Sequence, residues 1–205
     1  MVRKRRQAEN GRLLERIDLD RSVVLVGLMG AGKSAIGKRL AARLFLPFRD
    51  SDDEIELAAG CTIPEIFSRY GESAFRDVER KVILRLLDEE PHILATGGGA
   101  FMDPAIRQAV AEKAISIWLK APLSVLVERT AKRGNRPLLA GGDVREKLKS
   151  LMEIRNPVYG AADITVDSRN RPLEAMTESC LVALGAYLEG VRNQTHNPAP
   201  NQAGK

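Results

Sequence analysis

The stretch Gly27-Leu28-Met29-Gly30-Ala31-Gly32-Lys33-Ser34 constrains this chain more than any other segment of it. It matches in full the phosphate-binding P-loop pattern, in which two glycines bracket four residues and a Lys-Ser/Thr pair follows. From average composition, a chance match in a chain of this length has odds on the order of 1%. The flanks fit as well. Residues 22–28 are a β-branched and aliphatic run, the composition of a fully buried strand. Residues 33–44 place Ile36, Leu40 and Leu44 on one helical face. Strand, glycine loop and helix in that order let backbone N–H groups wrap an anion while the helix N-terminus faces it. Gly30, Ala31, Gly32, Lys33, Ser34 and Ala35 are therefore the expected nucleotide contacts. Lys33 is expected to reach the β and γ phosphates of ATP, and Ser34 to ligate Mg²⁺.

Beyond that unit, strand and helix signals keep alternating. A short strand ends at Phe48-Arg49-Asp50. Thr62-Ile63-Pro64-Glu65 is a capping box with proline inside it, so a helix starts there and runs to Tyr70, where Gly71 breaks it. A longer helix follows over residues 72–87. Residues 92–96 read as a third strand, stopped by Gly97-Gly98-Gly99. A helix from Pro104 leads to a strand at 114–119, and Pro122 opens a helix to about Ala131. A polar, glycine-rich stretch at 132–143 precedes a helix to Asn156, a strand at 164–167 and a last helix over about 172–189. This alternation predicts an α/β fold, a parallel sheet with helices on both faces. Ligands in such sheets bind beyond the C-terminal strand ends. The signals after Leu28, at Asp50 and at Gly97 all fall there.

The ends of the chain read differently. Residues 1–21 are polar and basic, with Arg3-Lys4-Arg5-Arg6 at the head, and are expected to form a solvated extension. Residues 191–205 are rich in Asn, Pro, Ala and Gly, and are expected to be disordered. A single domain over 22–190 lies between them, in line with 205 residues in all. The net charge of +5 suits nucleic acid, lipid or phosphorylated small molecules equally. Aromatic residues make up only 4%, which argues against a base-stacking nucleic-acid surface. The longest apolar run, 23–29, is far too short for a membrane span. The basic head lacks the apolar core of a secretory signal. Cys61 and Cys180 have no metal-ligand spacing and read as free thiols. The expected address is the cytoplasm, with neither nucleic acid nor membrane as a partner.

An acceptor side is also legible. Asp50-Ser51-Asp52 closes the second strand, and no other strand carries an obvious metal-binding aspartate. Asp50 is thus the candidate for the Mg²⁺ shell. Along an extended chain Asp52 points the opposite way, towards a neighbouring pocket where a carboxylate can orient a hydroxyl and accept its proton. The plain alternative is that residues 50–54 favour the start of a helix. Arg76 has Glu79 three residues on, within reach of its guanidinium. Arg155 precedes Asn156-Pro157 at a helix end. Arginine suits a planar carboxylate, but by spacing alone the ordinary reading of either is a surface ion pair.

Taken as an ordered set, these motifs resemble the shikimate kinases. The set comprises the P-loop, Asp50-Ser51-Asp52, Gly71-Glu72-Ser73-Ala74-Phe75-Arg76, Ala95-Thr96-Gly97-Gly98-Gly99, Arg136-Pro137-Leu138-Leu139 and Arg155-Asn156-Pro157-Val158-Tyr159. The resemblance spans about 22–189. It implies the three-layer P-loop kinase fold of the nucleoside monophosphate kinases, with a five-stranded parallel sheet. It also implies phosphoryl transfer from ATP to shikimate, a step towards chorismate and the aromatic amino acids, by a monomer. By the same resemblance Asp52, Arg76, Arg155 and the run Gly97, Gly98, Gly99 bind shikimate, and Ser34 and Asp50 hold Mg²⁺. Arg136 contacts phosphates from a lid at 132–143 and joins Asp52 and Lys33 in catalysis. Arg129 flanks the adenine, with Arg171 and Pro172 on its other side. One departure is Ala35, where most members carry Thr. The alternatives are a gluconate kinase-like enzyme of the same fold and a non-catalytic nucleotide-binding protein.

Overall fold

The computed structural model describes residues 19–131, 143–168 and 171–196, with side chains of the last helix described as far as Val191. Five parallel strands form one sheet in the order β2-β3-β1-β4-β5. They are β1 (Ser22–Val26), β2 (Phe48–Asp50), β3 (Ile93–Ala95), β4 (Ala114–Lys120) and β5 (Ile164–Asp167). Among the described residues, seven helices connect and cover them: α1 (Lys33–Leu44), α2 (Ser51–Ala59), α3 (Ile63–Leu86), α4 (Pro104–Lys113), α5 (Leu123–Ala131), α6 (Val144–Tyr159) and α7 (Leu173–His196). A short 3₁₀ turn, Ala100–Met102, follows β3.

β1 lies at the centre, paired with β3 through Val23↔Ile93 and with β4 through Val23↔Ile115. Val23, Val24, Leu25 and Val26 are all fully buried. Alternate side chains of a strand leave opposite faces, so both faces of the sheet are covered. α1 packs on β1, β2 and β3 and against α7, which lies along β5; α4 packs on β4 and against α3. Leu19, within the expected N-terminal extension, already packs on the core.

Local signals place most boundaries. Thr62 and Glu65 form the reciprocal capping box at the start of α3, with Thr62 N–H donating to Glu65 Oε2 at 2.9 Å. Gly71 (φ 81°, ψ 175°) leaves the helical region and splits α3 into two helical segments. Asp103 caps α4, accepting from Ala105 N–H at 2.8 Å.

Three expectations need correction. α6 does not end at Asn156 but runs through Pro157 to Tyr159. Proline removes one N–H from a helix, yet near a C-terminus the remaining turn still closes, here by Gly160 N–H on the Asn156 carbonyl at 3.0 Å. α7 extends to His196, into the segment expected to be disordered from 191 onward. Leu181 and Leu184 of that helix are buried, and the helix continues beyond them. The third correction concerns Asp52: residues 51–59 are helical, so it does not sit on an extended chain.

Phe45 closes α1 in the left-handed conformation (φ 55°, ψ 36°) with 94% of its surface exposed. A side chain with a Cβ is strained there by about 1 kcal/mol, and this aromatic gains nothing from burial. Phe45→Gly is expected to raise unfolding stability by about 0.5–1 kcal/mol in urea titration. An unchanged or lower midpoint would mean the Phe45 ring makes a stabilising contact after all.

Candidate active site

β1 hands the chain to the P-loop at Gly27. Its φ is 135°, and a Cβ there would sit 2.8 Å from the Leu119 carbonyl oxygen of β4, so only glycine fits. Lys33 Nζ lies over the loop, donating to the Gly27 carbonyl at 2.7 Å and the Leu28 carbonyl at 3.1 Å. On the far side, Ser168 just after β5 donates its hydroxyl to the Ala31 carbonyl at 3.1 Å. Arg129 Nη1 donates to the same carbonyl at 3.4 Å and to that of Gly30 at 3.5 Å. Ser168 carries no motif, so its latch on the loop escapes a sequence reading.

Asp50 links the loop to the acceptor side. Its Oδ2 accepts from Ser34 Oγ at 2.6 Å, and its Oδ1 accepts from Asp52 N–H at 3.1 Å, capping α2. The helix-start reading of residues 50–54 is thus what the structure shows. The acidic first turn of Asp52, Asp53 and Glu54 suits the positive end of α2. Being helical also brings Asp52 to the cleft, which has a volume of about 350 Å³. Gly30, Gly32, Lys33, Ser34, Ala35, Thr96, Gly97, Gly98, Arg129 and Arg171 line it too. Among the described residues, one cleft thus gathers residues from the P-loop, α2, the β3 loop and α5.

The glycine run after β3 is packed against the acceptor-side charges. Gly97 N–H donates to Ser51 Oγ at 2.9 Å. A Cβ on Gly97 would lie 2.8 Å from Glu79 Oε1 and 3.0 Å from Asp52 Oδ1; one on Gly99 would lie 2.6 Å from Arg76 Nη1. Arg155 Nη1 donates to the Gly98 carbonyl at 2.8 Å, and Tyr159 donates its hydroxyl to the same oxygen. Arg76 is held from two sides, by Glu79 Oε2 at 2.6 Å and Glu72 Oε1 at 2.9 Å. Arg76 is thus ion-paired, but with a buried carboxylate rather than at the surface, and the pair sits beside the cleft. Pro172 immediately precedes α7, whose Leu173 and Met176 line the cleft. Arg136 and residues 132–142 of the expected lid lie outside the described residues.

Glu79 is 2% exposed, and its Oε1 has no hydrogen-bond partner among the described residues. Burial pushes its pKa above the ordinary carboxylate value; the Arg76 and Arg155 cations oppose this, and the Asp52 charge adds to it. Burial works against the Arg76 cation in turn, but Glu79 and Glu72 outweigh it and hold its pKa above the ordinary value.

A scan for family resemblance matches the shikimate kinase family model over residues 29–184. The chain belongs to the shikimate kinase family. A shikimate kinase of Bradyrhizobium diazoefficiens is 55% identical over 170 residues, covering 83% of this chain and 82% of that one. One of Paramagnetospirillum magneticum is 53% identical over 171 residues, covering 83% and 88%. Among solved structures, a shikimate kinase from Acinetobacter baumannii in complex with shikimate superposes with a TM-score of 0.74. It has 33% identity and covers 90% of this chain and 98% of its own. A gluconokinase from Sinorhizobium meliloti, 20% identical with a TM-score of 0.56, shares the fold.

Gly97→Ala tests the packing of this family's acceptor side. Its Cβ would push against Glu79 and Asp52, an overpacking of about 1–3 kcal/mol. The expected result is a rise of about tenfold or more in the KM of the phosphoryl acceptor, with nucleotide affinity within about twofold. Equal losses for both ligands would show that Gly97 supports the whole cleft instead.

Proposed function

We propose that this protein is a shikimate kinase, transferring the γ-phosphoryl group of ATP to the 3-hydroxyl of shikimate to give shikimate 3-phosphate and ADP. The observation that carries the reading is the shared cleft. Lys33 and Ser34 face it from the nucleotide side and Asp52 from the acceptor side, with Arg155 anchored on its Gly98 wall. Membership of the family supports the same reaction.

Each side chain then has a physical task. Asp52 orients the attacking hydroxyl and takes its proton as the new O–P bond forms. Arg76 and Arg155 receive the shikimate carboxylate, where a planar, charged fork outbinds a point charge. Lys33 compensates charge on the phosphoryl group in transit. Arg129 and Arg171 border the nucleotide side of the cleft, where the adenine is placed by this reading. Ala35 supplies no hydroxyl, so one neutral contact of about 0.5–1.5 kcal/mol net is missing, which weakens nucleotide binding without abolishing it.

Ser34 Oγ and Asp50 Oδ2, 2.6 Å apart, are the donors for magnesium in this proposal. That ion takes one or two protein oxygens and fills its shell with phosphate and water. Held there, it would neutralise charge on the phosphates. Among the described residues, no helix is long and apolar enough to cross a membrane.

The direct test is ADP release from Mg-ATP with shikimate, with gluconate and with neither. Fast release with shikimate alone is expected; release with gluconate alone would discard the acceptor assignment. Asp52→Asn is expected to lower kcat by about 10²–10⁴-fold, and near-normal turnover would remove its role as base. Arg155→Ala is expected to weaken shikimate use by about 10- to 100-fold through loss of a charged hydrogen bond. An unaltered shikimate response would take Arg155 out of the site.

A further inference from the structure

Tyr159 ends the Arg155-Asn156-Pro157-Val158-Tyr159 motif, and the reaction described above gives it no task. It is 1% exposed. Its ring packs between two others, with centroids 6.4 Å from Phe101 and 5.9 Å from Trp118. A buried phenol needs a partner for its O–H, and this one finds the Gly98 carbonyl. The same oxygen anchors Arg155 Nη1 at 2.8 Å. Arg155 and Tyr159 stand one helical turn apart on α6, so they share a face, and both converge on one atom of the cleft wall.

Resting on the reading that Arg155 grips the acceptor carboxylate, we propose that Tyr159 is a positioning residue for that grip. Its hydroxyl holds the Gly98 carbonyl in place, and the carbonyl holds Arg155. The guanidinium is a rigid planar fork, so fixing Nη1 constrains its other donors as well. The Phe101 and Trp118 rings keep the phenol from swinging away. Burial pushes the Tyr159 hydroxyl up to about 12, against the pull of Arg155 and Arg76. At neutral pH it is therefore a protonated donor.

The test compares the full-length chain with Tyr159→Phe, which keeps the ring and removes only the hydroxyl. At saturating ATP, the shikimate KM is expected to rise about 3- to 10-fold, the scale of one lost neutral hydrogen bond. The ATP KM and the melting temperature should stay near those of the unmodified protein. Because the hydroxyl acts through Arg155, Tyr159→Phe added to Arg155→Ala should cost almost nothing further. An unchanged shikimate KM in Tyr159→Phe, an equal rise for ATP, or full additivity with Arg155→Ala would each overturn the proposal.

Should Tyr159→Phe not fold, proton NMR of the unmodified protein decides. The slowly exchanging tyrosine hydroxyl should shift when shikimate binds and stay put with ATP alone; no shift with shikimate would overturn the role. Failure of the unmodified chain to phosphorylate shikimate would sink the underlying reading. Turnover with an insensitive Tyr159→Phe would sink only the role of Tyr159.

Discussion

The site depends on β1 being walled in on both sides and both faces. Its pairing with β3 and β4 leaves the chain one exit, beyond the C-terminal edge of the sheet. The turn at Gly27 is made against the Leu119 carbonyl at a distance no Cβ tolerates. That contact sets where the P-loop starts. The loop then sets where α1 points its N-terminal amides, the fixed positive end available to an anion. Ser168 and Arg129 fasten the loop from the β5 side, so it is braced across the sheet rather than merely glycine-rich.

Asp50 couples this nucleotide cradle to the acceptor side. One oxygen caps α2 and the other takes the Ser34 hydroxyl. The cap orients α2, and α2 delivers Asp52 to the cleft. A change at Asp50 therefore alters both the Ser34 hydroxyl it holds and the orientation of Asp52.

The acceptor side is built differently, from charges held by other charges. Arg76 is clamped by Glu72 and Glu79, and Arg155 by the Gly98 carbonyl. Glycine at 97 and 99 lets these groups approach the β3 loop to within contact distance. Burying Glu79 beside Asp52 is costly, and two arginines offset that cost.

The sequence by itself determined the P-loop, the alternation of strands and helices, the α3 capping box and its break at Gly71. These rest on local rules of turn glycines, caps and side-chain period, which act within a few residues. The ordered motifs also named Asp52, Arg76 and Arg155 through family resemblance. Only the tertiary structure decided the strand order, because pairing joins segments tens of residues apart. It alone placed Asp52 in a helix rather than on a strand, carried α6 through Pro157, and took α7 on to His196. Ser168 and Tyr159 stayed hidden for the same reason. Each donates its hydroxyl to a backbone carbonyl distant in sequence, and a carbonyl has no letter in the sequence to give it away.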